Sequence, residues 1–279
     1  MNDPAPESKA SRRFVAGLES LMKEFFARPI TNDYPTIMLD GLPVGDMMVI
    51  AAMGITSDGH KQILGLIEGA TENHAVINSL LSDLINRGLS IETPRLFVLD
   101  GGKGLHKAVR DTFGRHTVIQ RCQVHKKRNV LSHLPKSEQT NISLSISRAY
   151  MEFDYDKAKS ALELIADNLD HRYPKAAESL REGLDETLTV HRLKIPGALR
   201  QTLATTNPLE SANSVARSSV KRVNRWQDGE HIIRTLAAGF MEAENGFRRI
   251  KGYRQIPFLT NALYNSLEAN SANSSAKTA

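Results

Sequence analysis

The order of strand-like and helix-like segments constrains the fold of this chain most strongly. Three short segments rich in apolar and β-branched residues come first, at 35–42, 47–56 and 61–68. Ser57-Asp58-Gly59, between the second and third, is typical of a hairpin turn. Helices and strands then alternate, with a helix from 71, a strand at 94–100, a helix at 103–113 and a strand at 117–121. This order predicts an α/β fold in which helices cover both faces of a mixed sheet.

The rest of the chain is predicted to be mainly helical. Apolar residues recur at helical spacing across 136–200, which indicates an all-helical insertion between two parts of the α/β domain, 13–135 and 201–265. Within the second part, helices are predicted from Thr206 to about Arg225 and from His231 to Phe247. The polar composition of 1–12 and 266–279 predicts a disordered leader and a disordered tail.

Composition and charge narrow the function. A single cysteine among 279 residues argues against a disulfide framework, and no apolar run approaches the roughly 18 residues of a membrane helix. We therefore expect a cytoplasmic protein with no membrane partner. The whole chain has a net charge of +5, but two stretches are more basic than the rest: residues 102–136 carry +8 and residues 191–255 carry +7. Such blocks indicate a nucleic-acid partner, although solvated helix faces would have a similar composition.

Two aspartates come at the ends of strands that are expected to be buried. Asp40 precedes Gly41 in the first strand, and Asp100 precedes Gly101 at the end of the fourth. A carboxylate in such a place is costly unless it binds something, and open sheets bind ligands beyond the carboxyl ends of their strands. The alternative is a simple turn, since Asp-Gly is a common turn dipeptide.

A third acid, Glu210, comes at the start of a predicted helix. Asn207 as N-cap, with Glu210 three residues later, resembles a capping box, and capping alone would explain this acid. However, Ser214, Arg217 and Lys221 share a helix face with Glu210, so the carboxylate would lie at the head of a basic stripe. Three carboxylates together suit phosphoryl transfer with two Mg²⁺ ions about 4 Å apart.

Cys122 and His125 form a second local signal. A zinc site is disfavoured because the chain offers no second cysteine. His125 could instead orient a phosphate or support the acids, or Cys122 could simply be a small buried residue beside a helix start. The residues predicted to contact the DNA backbone are basic, and a solvated surface is their alternative: Lys126, Lys127, Arg128, Arg217, Lys221, Arg222, Arg225, Arg248 and Arg249.

Taken together, these motifs resemble the transposases of Mutator-type bacterial insertion sequences. The similarity covers about Arg28 to Leu263 and rests on five motifs in order: Asp40-Gly41, Asp100-Gly101 with Lys103-Gly104-Leu105, the stretch 120–130 around Cys122 and His125, Thr206-Asn207-Pro208-Leu209-Glu210, and the basic stretch 247–254. The resemblance implies an RNase H-like domain, with the helical insertion before the last catalytic helix. It also implies a DDE triad, which maps onto Asp40, Asp100 and Glu210 as catalytic residues and metal ligands.

Cofactor, partners and location follow from the same resemblance. It implies two Mg²⁺ ions, with Mn²⁺ as a substitute, and double-stranded DNA as both element ends and target. It further implies a homodimer or larger assembly on DNA, at the nucleoid. Cys122 and His125 match the C-x-x-H signature of these proteins. Mutator-type transposases normally carry an additional N-terminal DNA-binding region, which we expect this sequence to lack.

Two other functions stay open at this point. The chain could be a DNA-binding remnant of a truncated element that has no catalytic activity. It could also be another RNase H-like nuclease, such as a junction resolvase, which would cut branched DNA without joining a 3′-OH to a target.

Overall fold

A computed structural model describes residues 23–69, 73–220 and 229–276, so the predicted leader at 1–12 lies outside the described residues. Five strands form one sheet: β1 Thr36–Val44, β2 Met47–Ile55, β3 Lys61–Glu68, β4 Arg95–Leu99 and β5 Thr117–Arg121. Their order across the sheet is β3-β2-β1-β4-β5. The pairs β1–β2 and β2–β3 are antiparallel, whereas β1–β4 and β4–β5 are parallel.

Helices account for most of the remaining described residues. They are α1 His74–Asn86, α2 Lys103–Phe113, α3 Gln123–Ser132, α4 Lys136–Met151, α5 Tyr155–Asp170, α6 Pro174–Arg181, α7 Leu184–Thr187, α8 Thr189–Arg192, α9 Gly197–Leu203, α10 Asn207–Val220, α11 Gly229–Asn245 and α12 Ile256–Ala276. The mixed sheet with flanking helices is the RNase H-like α/β arrangement that the sequence predicts.

Alternation along the strands divides the sheet into two apolar faces. In β1, Ile37 and Leu39 pack with α1 and α2, whereas Met38 and Leu42 pack with α9 to α12. Successive side chains of a strand point to opposite faces. Asp40 therefore shares its face with Met38 and Leu42, beneath the layer that contains α10.

The helices between β5 and α9 bury a third apolar cluster. It runs from Val130 to Leu188 and includes Leu162 of α5 and Leu180 of α6. These helices therefore have a core of their own beside the sheet. That core lies next to β5, the strand at one edge of the sheet.

Helix α12 differs from the sequence-based expectation. It continues to Ala276, so the described part of 266–279 is helical, although its composition predicts a disordered tail from 266. The helix begins on the buried side chains of Ile256, Leu259 and Leu263. Once those turns are anchored, Ser, Asn and Ala can extend the helix, since each added residue contributes a hydrogen bond without a new nucleation cost.

A close contact between α10 and α11 fixes the position of α10 over the sheet. A Cβ atom added at Gly239 of α11 would lie 2.8 Å from Cα and 3.0 Å from the carbonyl oxygen of Ala216 in α10. Such distances are shorter than van der Waals contact, so only glycine allows this approach. The apolar side of α10, formed by Leu209, Ala212 and Ala216, is buried as its spacing predicts.

We expect Gly239→Val to lower the free energy of unfolding by about 1–3 kcal/mol, because the new side chain would push α11 away from α10. Gly246→Val is the matched control, since a Cβ there would meet only the carbonyl of Ala243 at an ordinary 3.5 Å. Chemical denaturation of both variants measures the difference. Equal stability of the two would contradict the close packing.

Candidate functional site

The register of the parallel strands places two aspartates side by side. Leu39 of β1 pairs with Leu99 of β4, so Asp40, the next residue of β1, is adjacent in register to Asp100, the residue that directly follows β4. Neighbouring strands lie about 4.8 Å apart. Asp40 is only 4% exposed, whereas Asp100 is half-buried and its Oδ1 accepts a hydrogen bond from the backbone N–H of Gly102 at 2.9 Å.

Helix α10 brings Glu210 to the same face of the sheet. Asp40, His125 and Glu210 line one cavity of about 360 Å³, together with Arg128, Asn213 and other residues. The Nδ2 atom of Asn213 donates to Oδ2 of Asp40 at 3.2 Å. Asp100 is not among the described lining residues, although its charge and that of Glu210 both act on Asp40. The three predicted acids are thus neighbours in the fold, whereas the described residues whose ligand atoms all lie within 4.8 Å of one another are Cys122, His125 and Glu210.

Charge and burial act strongly on Asp40. Burial raises its pKa from 3.8 to about 7, against the opposing effect of His125, while the nearby charges of Asp100 and Glu210 raise it further. The pKa of His125 is raised to about 9, chiefly by its hydrogen bond with Cys122, with the charges of Asp40 and Glu210 acting in the same direction. These shifts favour the protonated form of His125 beside Asp40 and Glu210.

The start of α10 corrects the capping-box interpretation of Glu210. The backbone carbonyl of Thr206 accepts hydrogen bonds from the N–H groups of Leu209 and Glu210, each at 2.9 Å, so Thr206 is the N-cap residue instead of Asn207. Glu210 then comes four residues after the cap. Its Oε1 accepts a hydrogen bond from the Thr206 hydroxyl at 3.0 Å, and the reciprocal bond to the backbone of a capping box is not made here.

Cys122 and His125 lie against this helix start. The backbone N–H of Thr206 donates to Sγ of the buried Cys122 at 3.4 Å, and Nε2 of His125 lies 3.8 Å from Oε1 of Glu210. Both the buried-cysteine interpretation and a supporting position of His125 beside the acids agree with these contacts.

Lys126 corrects one of the predicted DNA contacts. Lys126 is 1% exposed, and its Nζ donates to the carbonyl oxygens of Ser179 at 2.5 Å and Glu182 at 2.6 Å. Burial lowers its pKa from 10.5 to about 8. The ammonium group ties α3 to the end of α6, and it is not available to a phosphate.

The other predicted basic residues differ in position. Arg128 is exposed and lines the cavity of Asp40 and Glu210, as does the half-buried Arg217. Nζ of Lys127 donates to Oγ of Ser147 at 2.9 Å. Arg248 and Arg249 are exposed after α11. Lys221, Arg222 and Arg225 lie outside the described residues.

A second, more open cleft of about 500 Å³ lies on another side of the start of α10. Lys61 of β3, Arg249 and Lys251 contribute three cations to its lining, and Asn207 and Ser211 of α10 contribute polar groups. None of the described residues that line it is acidic. The cleft therefore has the charge of an anion-binding surface.

Two residues of the site are absent from the sequence-based prediction. Asn213 bonds Asp40, and Thr206 bonds Glu210. The spacing of three residues between Glu210 and Asn213 is a signal that both share a helix face. Nothing in the sequence pairs Thr206 with Cys122, because 84 residues separate them.

None of the described helices is long and apolar enough to cross a membrane.

The buried position of Asp40 predicts a measurable cost in stability. Because its pKa is raised to about 7 in the folded protein, the folded state binds more protons than the unfolded state between about pH 4 and pH 7. The contribution of Asp40 to stability therefore falls as the pH rises through this window. At pH 8 and without divalent ions, Asp40→Asn should raise the Tm by about 2 °C or more.

Asp46→Asn is the control for this measurement, since Asp46 is exposed in the turn between β1 and β2. Its Tm should match that of the wild type. A lower Tm for Asp40→Asn than for the wild type at pH 8 would contradict the assignment of Asp40 as a destabilising buried charge.

Comparison with known proteins places the chain in a family. Residues 7–249 match the family described as "Transposase, Mutator family". Relatives include the transposase for insertion sequence element IS6120 of Mycolicibacterium smegmatis, 32% identical over 75% of this chain and 65% of that protein. The transposase for insertion sequence element IST2 of Acidithiobacillus ferrooxidans is 30% identical over 62% of this chain and 57% of its own length. The transposase for insertion sequence element IS256 in transposon Tn4001 of Staphylococcus aureus is 28% identical over 83% and 62%.

The matched part of the chain thus spans 57–65% of the length of these three relatives. The family match extends over most of the chain and includes Asp40, Asp100 and Glu210. The chain therefore belongs to the Mutator family of transposases.

Proposed function

We propose that this chain is the catalytic core of a DNA transposase, which cleaves DNA strands and transfers the freed 3′-OH in a metal-dependent reaction. The catalytic residues in this proposal are Asp40, Asp100 and Glu210. The observation that carries it is their proximity: Asp40 lies in β1, Asp100 directly follows the neighbouring parallel strand β4, and Glu210 lies on the helix that covers the same face. The charges of Asp100 and Glu210 both act on the buried Asp40.

The chemistry of the site fits a hard divalent cation. Its acids offer oxygen ligands, and the buried Oδ1 of Asn213 has no hydrogen-bond partner among the described residues. Burial next to two like charges is unfavourable for an ionised Asp40, so a cation would relieve the cost. When held by Asp40, Asp100 and Glu210, two Mg²⁺ ions, or Mn²⁺ in their place, would activate the attacking hydroxyl and stabilise the leaving oxygen.

The cationic side chains of the cavity have a separate task in this proposal. Arg128 and Arg217 line it together with the acids, where they would bind the phosphates on either side of the scissile bond. His125 carries a positive charge at neutral pH and faces Asp40 and Glu210, so it lowers the cost of keeping both acids ionised.

In this proposal the DNA continues from the catalytic cavity into the second cleft. It shares helix α10 with the catalytic cavity: Asn207 and Ser211 face the cleft, and Glu210 and Arg217 face the cavity. With Lys61, Arg249 and Lys251 on its walls, the cleft would hold the backbone of a strand that passes the start of α10.

The proposed partners are double-stranded DNA as element ends and as target, and further copies of the chain in a homodimer or larger assembly on DNA. The proposed place of action is the nucleoid in the bacterial cytoplasm. The related proteins are named as transposases for insertion sequence elements.

Asp100→Asn and Glu210→Gln should each reduce nicking of supercoiled plasmid and 3′-OH strand transfer by at least about 100-fold in Mg²⁺ or Mn²⁺, because removing an ion's ligand costs transition-state stabilisation. DNA binding should persist. The control is Asp111→Asn in α2, whose exposed carboxylate bonds Lys107 and His74 outside the cavity.

Full activity of either acid variant would contradict the triad. A wild-type protein that binds DNA but never cuts it with either ion would favour the binding remnant. Cleavage of branched DNA without strand joining would favour a resolvase.

Arg128→Ala should weaken DNA binding severalfold and reduce the slope of log Kd against log salt by about 1, since one phosphate contact is lost. Lys126→Met, two positions earlier, should leave both quantities unchanged. It should instead lower the free energy of unfolding by about 1–3 kcal/mol, because the carbonyl groups of Ser179 and Glu182 lose their donor. Fluorescence anisotropy at several salt concentrations and chemical denaturation measure these effects. An equal loss of DNA affinity in both variants would contradict the assignment.

A further inference from the structure

We propose that Thr206 is the positioning residue for Glu210, and that Cys122 and His125 act on the catalytic cavity through it. This inference rests on the proposed function, since it assigns Glu210 a place that must be held. The observation behind it is that one buried hydroxyl group, that of Thr206, contacts the side chains of Cys122, His125 and Glu210.

Thr206 is fully buried, at 0% exposure, between β5 and the start of α10. Its Oγ1 lies 3.0 Å from Oε1 of Glu210, 3.4 Å from Nδ1 of His125 and 3.4 Å from Sγ of Cys122. A single side-chain oxygen therefore contacts both members of the C-x-x-H signature and the acid.

The hydroxyl can satisfy these neighbours in only a few ways. It has one proton to donate and two lone pairs to accept with. A carboxylate can only accept, so the shortest contact is a donation to Glu210. The hydroxyl oxygen then accepts from Nδ1–H of His125. This chain of bonds restricts the rotation of the Glu210 carboxylate on an otherwise half-exposed side chain.

The backbone of Thr206 is held by the same group of residues. Its N–H donates to Sγ of Cys122 at 3.4 Å, and its carbonyl accepts the first bonds of α10 from Leu209 and Glu210. Two residues earlier, the carbonyl of Ala204 accepts from the backbone N–H of Gln123 at 2.9 Å. Cys122 and its neighbour thus fix where α10 begins, and with it the height of Glu210 over the sheet.

A metal ion bound by Cys122, His125 and Glu210 is the main rival for this cluster. One ligand atom from each lies within 4.8 Å of the others. However, Oγ1 of Thr206 already makes contacts of 3.4 Å, 3.4 Å and 3.0 Å with atoms of Cys122, His125 and Glu210. An ion at bonding distances of about 2.0–2.3 Å would compete with this hydroxyl for the same side chains.

Thr206→Val and Thr206→Ser test the proposal, because valine keeps the shape of threonine without its hydroxyl and serine keeps the hydroxyl. Calorimetric titration with Mn²⁺ in the absence of DNA should show at least fivefold weaker binding for Thr206→Val, and affinity within threefold of the wild type for Thr206→Ser. Single-turnover nicking should fall at least tenfold for the valine variant, with DNA affinity unchanged.

Thr189→Val is the matched control for a general loss of stability. Thr189 is also 0% exposed, and its hydroxyl donates to the carbonyl of Ile119 at 2.7 Å outside the cavity. Mn²⁺ affinity should stay within twofold of the wild type in this variant. Equal effects of Thr189→Val and Thr206→Val would overturn the proposal, as would wild-type Mn²⁺ affinity in Thr206→Val.

The two levels of the account fail in different ways. A wild-type chain that neither binds Mn²⁺ nor nicks DNA contradicts the proposed function itself. A wild-type chain that does both, with an unaffected Thr206→Val variant, contradicts only the role of Thr206. Tighter Mn²⁺ binding by Thr206→Val would instead support an ion among Cys122, His125 and Glu210, and would also overturn the proposal.

Discussion

The burial of the Asp40 carboxylate beside other acids is the constraint on which the site depends. A desolvated charge next to Asp100 and Glu210 is unfavourable, and its pKa of about 7 is a direct expression of that cost. The surrounding structure holds it there nonetheless. The strand register sets Asp100 beside it, Asn213 bonds it from α10, and His125 opposes the negative charge. A buried carboxylate beside two other acids is suited to bind a cation.

The apolar clusters on the two faces of the sheet hold in place the strands and the helix that carry the acids. The sheet is packed on both faces, and the glycine contact between α10 and α11 brings α10 down onto β1. Glu210 is thereby fixed relative to Asp40 by a helix that packs on the sheet through Leu209 and Ala216. The helices between β5 and α9 also support the site, because Lys126 ties α3 to the end of α6 and Cys122 is the N-cap residue of α3.

Much of this architecture could be predicted from the sequence. The periods of apolar residues predict β3, α2 and β5 at their observed bounds. The Asp-Gly step locates Asp100 directly after β4, whereas Asp40 lies in the middle of β1, which continues to Val44. Residue types alone could not separate Lys126 from Arg128, since burial of the ammonium depends on carbonyl groups more than 50 residues away. The same limit applies to Thr206 and Cys122. The capping-box interpretation failed by one residue because the N–H of Thr206 bonds a thiol from a distant part of the chain.

The position of divalent ions in the folded protein tests the central claim most directly. Crystals grown with Mn²⁺ and measured near the manganese absorption edge would locate the ions by their anomalous scattering. We expect one or two peaks within about 2.2 Å of carboxylate oxygens of Asp40 and Asp100, with Glu210 as the third ligand. A manganese peak bound by Cys122 and His125 alone would contradict the account. So would crystals that contain bound Mn²⁺ but show no peak at Asp40.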